Sequence, residues 1–209
     1  NAGRDTEGWD VAAANLDGDA YLEIAVVGFR NGSTDTKFGV LRIAQWDGST
    51  FTWEASTDWQ TVSGYDTHAF GVAIADVDGD STKEIVVVGF HGSASGLYAE
   101  VSVFNYVSGT LTRENTYSWQ LVSGYNAKCE AVAVDDVDDD GDIEIVAVGI
   151  ANDGTRDNAF ILVLSYDGTS FTKEVSRPWY TTSGTGAFDV NICDIDDDDT
   201  REIVTVNNY

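Results

Sequence analysis

Four short stretches of this 209-residue chain place oxygen-bearing side chains at alternate positions and end on a glutamate. They are Asn15, Asp17 and Asp19 with Glu23; Asp76, Asp78 and Asp80 with Glu84; Asp136, Asp138 and Asp140 with Glu144; and Asp194, Asp196 and Asp198 with Glu202. Alternating oxygens on a flexible turn suit a hard divalent cation, and Ca²⁺ takes roughly six to eight oxygen ligands at about 2.3–2.6 Å. Counting from the first residue of each stretch, positions 1, 3 and 5 offer side chains and position 9 offers a carboxylate able to bind through both oxygens. Position 7 offers a backbone carbonyl, from Tyr21, Thr82, Asp142 and Thr200 in turn. Mg²⁺ demands tighter octahedral geometry and keeps more water, so calcium is the expected cofactor, up to four ions. A solvated acidic surface would explain the charge but not the spacing. Without an ion, carboxylates packed this closely repel and destabilise the turn. The expected role of the ion is therefore to stabilise turns, as any ligand held only by the folded state does.

The stretches begin 61, 60 and 58 residues apart, and a near-constant period marks a repeat architecture. In each repeat an apolar run, such as Gly71 to Ala75 or Ala131 to Val134, leads into the acidic loop. A β-branched run follows it: Ile24 to Val27, Ile85 to Val88, Ile145 to Val148 and Ile203 to Val206. Runs this short, bounded by Gly and Asp, predict strands. A polar loop then leads to a third strand (Val40 to Trp46, Val101 to Tyr106, Phe160 to Tyr166) and a tight hairpin turn such as Asp47-Gly48. A fourth strand starts near Phe51, Leu111 and Phe171 and runs toward Trp59, Trp119 and Trp179. Four antiparallel strands per repeat predict an all-β fold, a β-propeller. The chain is expected to be one domain over residues 1–209, with repeats at about 4–64, 65–124 and 125–184 and a partial repeat at 185–209. That division predicts four blades, the last incomplete. No helix is predicted.

The pattern Asp-x-Asp-x-Asp, then an acid and Ile-Val-x-x-Gly, as from Asp76 to Gly89, resembles the FG-GAP/VCBS repeats of integrin-α-type propellers and of bacterial and fungal surface propellers. The resemblance covers nearly the whole chain. It implies that each loop joins the first two strands of a blade and binds calcium. There are departures. Asn15 lowers the charge of the first site, and Gly18 and Gly79 stand two places earlier in their loops than Gly141 does. The fourth loop has no glycine, so an aspartate must take the strained turn conformation.

Bulk properties narrow the function. A net charge of −25 argues against nucleic acid or an anionic membrane as partner. With 43% hydrophobic residues the chain is globular and not a disordered acidic tail. Its longest apolar runs fall far short of the ~20 residues that span a bilayer, so no membrane insertion is expected. Asn1 in place of an initiator Met predicts a processed N-terminus. Together with the sequon Asn31-Gly-Ser33 and the family resemblance, this leads to an expected extracellular, secreted or cell-surface location. Cys129 and Cys193 stand seven and one residues before their loops, an offset of about 20 Å along a strand, so both are expected free.

Other candidates are weaker. Trp59, Trp119 and Trp179 recur once per repeat and fit either packing between blades or sugar-stacking platforms; packing is the simpler expectation. His68 and His91 are single and read as surface or loop histidines. Arg4-Asp5 and Arg156-Asp157 read as ordinary charged loops. Paired carboxylates suit glycoside hydrolysis, but the best-placed pairs are those expected to hold metal, so no enzyme activity is expected. An incomplete blade leaves an unpaired strand edge. The expected function is thus a structural or adhesive surface protein, joined head-to-tail into a filament or array by strand complementation. Its expected partners are copies of itself or other surface proteins. A carbohydrate-binding propeller lectin, with glycans as ligands, is the alternative.

Overall fold

A computed structural model describes residues 6–33, 35–181 and 184–208. Fourteen strands and no helix lie among them. Sheet 1 holds β1 (Thr6–Ala14), β2 (Leu22–Asn31), β3 (Lys37–Trp46) and β4 (Phe51–Trp59). Sheet 2 holds β5 (Thr67–Ala75), β6 (Glu84–Ser93), β7 (Gly96–Val107) and β8 (Thr110–Trp119). Sheet 3 holds β9 (Ala127–Asp135), β10 (Glu144–Asn152), β11 (Asp157–Tyr166) and β12 (Phe171–Trp179). Sheet 4 is two-stranded, β13 (Ala187–Cys193) with β14 (Glu202–Asn207). Every sheet is an antiparallel meander in chain order, as short connections between neighbouring strands favour. Each predicted run lies inside an observed strand. Among the described residues no strand pairing joins sheet 4 back to sheet 1, so a closed ring is not seen. Gly3, the Arg4-Asp5 pair and Tyr209 lie outside the described residues.

The sheets pack face to face in series, with β1 against β5, β5 against β9 and β9 against β13. Three apolar cores fill the gaps. Ala25, Val27, Leu41, Ile43 and Trp59 of sheet 1 meet Val72, Ile85 and Phe104 of sheet 2. Val86, Val88, Val103 and Trp119 meet Ile145, Phe160 and Leu164 of sheet 3. Val146, Val148 and Val163 meet Ala187, Val190 and Ile192 of sheet 4. Because the middle sheets are covered on both faces, β6 and β10 read as continuous apolar runs instead of alternating ones. Burying one such side chain contributes about 1.5–3 kcal/mol.

Two bulges recur in the sheets. The first strand of each sheet carries one unpaired extra residue: Trp9, Phe70, Glu130 and Phe188. Facing it in sheets 1 to 3 is a glycine, Gly28, Gly89 or Gly149. A Cβ at these three positions would come within 1.8–2.0 Å of a backbone oxygen on the bulged strand. The fourth strand carries the other bulge, with Glu54, Glu114 and Glu174 as the extra residues. A bulge re-aims the side chain it inserts. All three of these are glutamates.

Candidate metal centres

The acidic loops join β1 to β2, β5 to β6, β9 to β10 and β13 to β14, so all four open at the same end of their sheets. Each is closed by one repeated hydrogen bond, from the backbone N–H of position 2 to Oε2 of the position 9 glutamate. The pairs are Leu16–Glu23 at 2.6 Å, Val77–Glu84 at 3.0 Å, Val137–Glu144 at 2.9 Å and Ile195–Glu202 at 2.9 Å. Glu23, Glu84 and Glu144 are buried, although each is the first or second residue of a strand.

Carboxylate oxygens converge in all four loops. Positions 1, 3 and 9 come within 4.8 Å of one another as Asp76, Asp78 and Glu84; as Asp136, Asp138 and Glu144; and as Asp194, Asp196 and Glu202. In the first loop, which has no carboxylate at position 1, the converging carboxylates are Asp17, Asp19 and Glu23. Asn15 spends its amide inside the turn, its Nδ2 donating to the Asp19 carbonyl and its Oδ1 accepting from Gly18, each at 2.6 Å. The position 5 acids of the other loops stand outside the converging set and cap the turn. Asp80, Asp140 and Asp198 accept from the N–H of Thr82, Asp142 and Thr200 at 2.7–2.9 Å. Tyr21, Thr82, Asp142 and Thr200 occupy position 7 at the exit of each turn.

The second, third and fourth loops carry two left-handed positions, 4 and 6, while the first has one, Gly18 at position 4. In the second and third loops one of the two is a glycine (Gly79 with Ser81, Asp139 with Gly141), and in the fourth both are aspartates, Asp197 at φ 58° and Asp199 at φ 67°. The strain anticipated for a glycine-free loop is thus present, at two residues.

Several observations fit a cation bound in these loops. Glu23 Oε1 and Asp76 Oδ1 are buried without a hydrogen-bond partner, which is costly for a carboxylate oxygen. Burial, with a smaller push from Asp78, raises Glu84 to about 7; burial also raises Glu144 to about 7, helped by Glu174 and Asp138. Glu23 is raised too, mainly by burial. These carboxylates are held where ionisation is unfavourable unless a positive charge joins them. A three-carboxylate site with further turn oxygens at hand fits a hard, oxygen-loving dication. Asp76, Asp78 and Glu84, with their counterparts, would hold it, and the ion would neutralise a turn that otherwise repels itself.

The flanking residues were only partly anticipated. Gln45 Nε2 donates to Asp19 Oδ2 at 2.8 Å. Tyr106 and Tyr166 border the clefts, of about 610 and 580 Å³, that open between successive loops. Of the bulge glutamates, Glu54 and Glu114 stand beside these tyrosines and accept from them. Their period was visible as Glu54, Glu114 and Glu174, 60 residues apart, but no neighbouring motif marked it. Trp59 and Trp119 are buried in the cores between sheets, and Trp179 packs against the third core, so packing is their role and the first two offer no sugar platform. Both histidines lie in strands and not in loops, His91 buried and His68 half-buried. His91 is buried in β6 with Nδ1 2.8 Å from Glu100, and His68 of β5 stacks on Phe90 at 4.5 Å. Arg156 lies over the Tyr180 ring at 4.3 Å. Cys129 and Cys193 are free.

No family profile and no curated protein sequence matches this chain. Among solved structures it is similar to a rhamnogalacturonan lyase of Bacillus licheniformis, PL11, with a TM-score of 0.61 and 15% identity. The match covers 96% of this chain and 40% of that protein's length. At this identity the likeness is one of fold.

Proposed function

We propose that this chain is a calcium-stabilised segment of β-propeller, each sheet a blade, serving as a structural or adhesive protein outside the cell. Its blades assemble head-to-tail with those of another copy. One observation carries the reading. The outward faces of sheets 1 and 4 repeat the residues through which the inner sheets meet. Val11 on sheet 1 is 59% exposed, while its counterpart Val72, which packs against sheet 1, is 6% exposed. Val206 on sheet 4 is 59% exposed, while Val148, which packs against sheet 4, is fully buried. Val204 with Val206 stands where Val146 with Val148 and Val86 with Val88 stand in the preceding sheets. The two end faces are therefore the two halves of the interface that already recurs three times within the chain.

β14 adds a second point of contact. Among the described residues it pairs only with β13, whereas β2, β6 and β10 are paired on both sides. An open edge of this kind accepts a further strand, from another copy or from residues of the same protein beyond those described. The role is non-enzymatic, and calcium sets the turns that hold the faces in register.

A carbohydrate-binding role is the second reading. It is favoured by the clefts between successive loops and by the fold likeness to a protein whose name includes a polysaccharide substrate. Light scattering separates the two. Assembly predicts species well above 22.5 kDa in calcium that fall to monomer in chelator, with Val206→Asp blocking them. A calcium-loaded monomer sinks the assembly reading, and binding to an acidic polysaccharide would then favour the other.

A further inference from the structure

Two hydrogen bonds cross between sheets at the acidic-loop end, and they are repeats of one another. Tyr106 Oη, near the end of β7, donates to Glu54 Oε2 of sheet 1 at 2.8 Å. Tyr166 Oη, at the end of β11, donates to Glu114 Oε2 of sheet 2 at a longer 3.4 Å. Partners are 52 residues apart in both cases. Both acceptors are the extra residue of a bulge, so the glutamate is aimed by an irregularity that the fourth strand keeps in sheets 1 to 3.

Each pair sits beside the acidic loop of the preceding sheet. Tyr106 shares a cleft with Asn15, Asp17 and Gly18 of the first loop, and Tyr166 shares one with Asp76, Asp78 and Gly79 of the second. Contact on the second cleft is close, since a Cβ on Gly168 would lie 2.9 Å from Asp78 Oδ2. Glu54 lies near enough to Glu23 to repel it, and Asp17 and Glu23 both act on the Tyr106 hydroxyl. Glu54 thus neighbours both a loop acid of its own sheet and the tyrosine of the next.

The sign of that placement depends on the loop. With no ion, Glu54 adds a like charge beside Asp17 and Glu23. With a dication in the loop, the same carboxylate is attracted toward it and remains a charged acceptor for Tyr106, the stronger kind of hydrogen bond. We propose that Tyr106 with Glu54, and Tyr166 with Glu114, are ion-linked latches through which calcium in one sheet's loop tightens the docking of the next sheet. Linkage makes the coupling reciprocal, so the latch raises calcium affinity by the factor by which calcium tightens docking. The inference rests on reading the acidic loops as calcium sites and is independent of any assembly between copies.

The test is thermal unfolding of wild type, Tyr106→Phe, Glu54→Gln and the double variant, each in chelator and in excess calcium, with calcium titration calorimetry alongside. Tyr98→Phe, whose ring stacks on His91 at 5.4 Å near the opposite end of sheet 2, is the control. The latch predicts a smaller calcium-induced rise in Tm for both single variants and a rise equal to that of wild type for the control. The double variant should lose no more than either single one, because the two groups act as a unit. Calcium affinity should weaken about threefold to tenfold at one site, a part of the roughly tenfold to hundredfold that a whole hydrogen bond to a charged group is worth. A calcium-induced rise equal to wild type in both variants overturns the latch while leaving the calcium reading intact. A wild type that does not respond to calcium removes both.

Discussion

The indole N–H of Trp59, at the end of β4, donates to Glu100 Oε1 of β7 at 3.1 Å and so joins sheet 1 to sheet 2. Glu100 is buried and also takes bonds from Thr61 at 2.7 Å, Ser102 at 2.9 Å and His91 at 2.8 Å. Burial pushes its carboxyl upward, but the bonds from His91 and Thr61 outweigh burial and hold it below the ordinary range. Glu100→Ala strands these donors in a sealed interface and should cost about 3–5 kcal/mol. Glu100→Gln keeps an acceptor and should cost less. Urea unfolding at neutral pH checks both; a loss under about 1 kcal/mol for the alanine variant would contradict the arrangement.

Glu84 should behave oppositely with and without calcium. In chelator it is a buried carboxylate among like charges, so Glu84→Gln should be near neutral or mildly stabilising. In calcium the same change removes a ligand and should abolish most of the ion's stabilisation at that loop. The comparison is Tm with and without calcium for wild type and variant.

The pH dependence carries a sign that can be worked out. Glu84 and Glu144 are raised from the ordinary 4.5 to about 7. A raised group contributes stability that is full below its unfolded value and is lost as pH rises through the folded value. Stability in chelator should therefore fall between about pH 5 and 7. In calcium the slope reverses, because protons compete with the ion for the same oxygens. Thermal unfolding across that window, with and without calcium, gives crossing curves if the loops are ion sites and parallel ones if they are not.

Asp199 occupies the left-handed position that Gly141 fills in the third loop. Left-handed backbone costs an L-residue about 1–2 kcal/mol, less for aspartate, while glycine loses about 0.5–1 kcal/mol through the unfolded chain. Asp199→Gly should therefore stabilise the fourth hairpin by at most about 1 kcal/mol, read by unfolding in chelator. A loss of stability would mean that its carboxylate matters more than its backbone.

The strands, the repeat and the four acidic loops were legible in the sequence because each is written locally, in alternation, spacing and turn residues. Position 9 was legible as an acid, but its burial was not, since burial depends on how the loop folds back onto its own second residue. The first loop differs from the others in having an amide at position 1, which donates to the Asp19 carbonyl as well as accepting from Gly18, and in having Asp19 among its converging carboxylates. His91 and Glu100 lie nine residues apart on paired strands of one sheet, and Trp59 reaches them from another. Nothing in a single repeat announces that network. The bulge glutamates failed for a related reason: their period was in plain sight, but a bulge is a property of strand register, which short-range pattern does not encode.

Each acidic loop closes on itself through a hydrogen bond spanning seven residues, within one hairpin and without help from a neighbouring sheet. Contacts so short in sequence are the first that a chain can make. A hairpin with its carboxylates already gathered can take up an ion before the sheets have met, and in arrays whose units touch only their neighbours, any such unit can nucleate the rest. Calcium should then act on the speed of folding as well as on its endpoint, lifting the refolding limb of a chevron plot more than it lowers the unfolding limb.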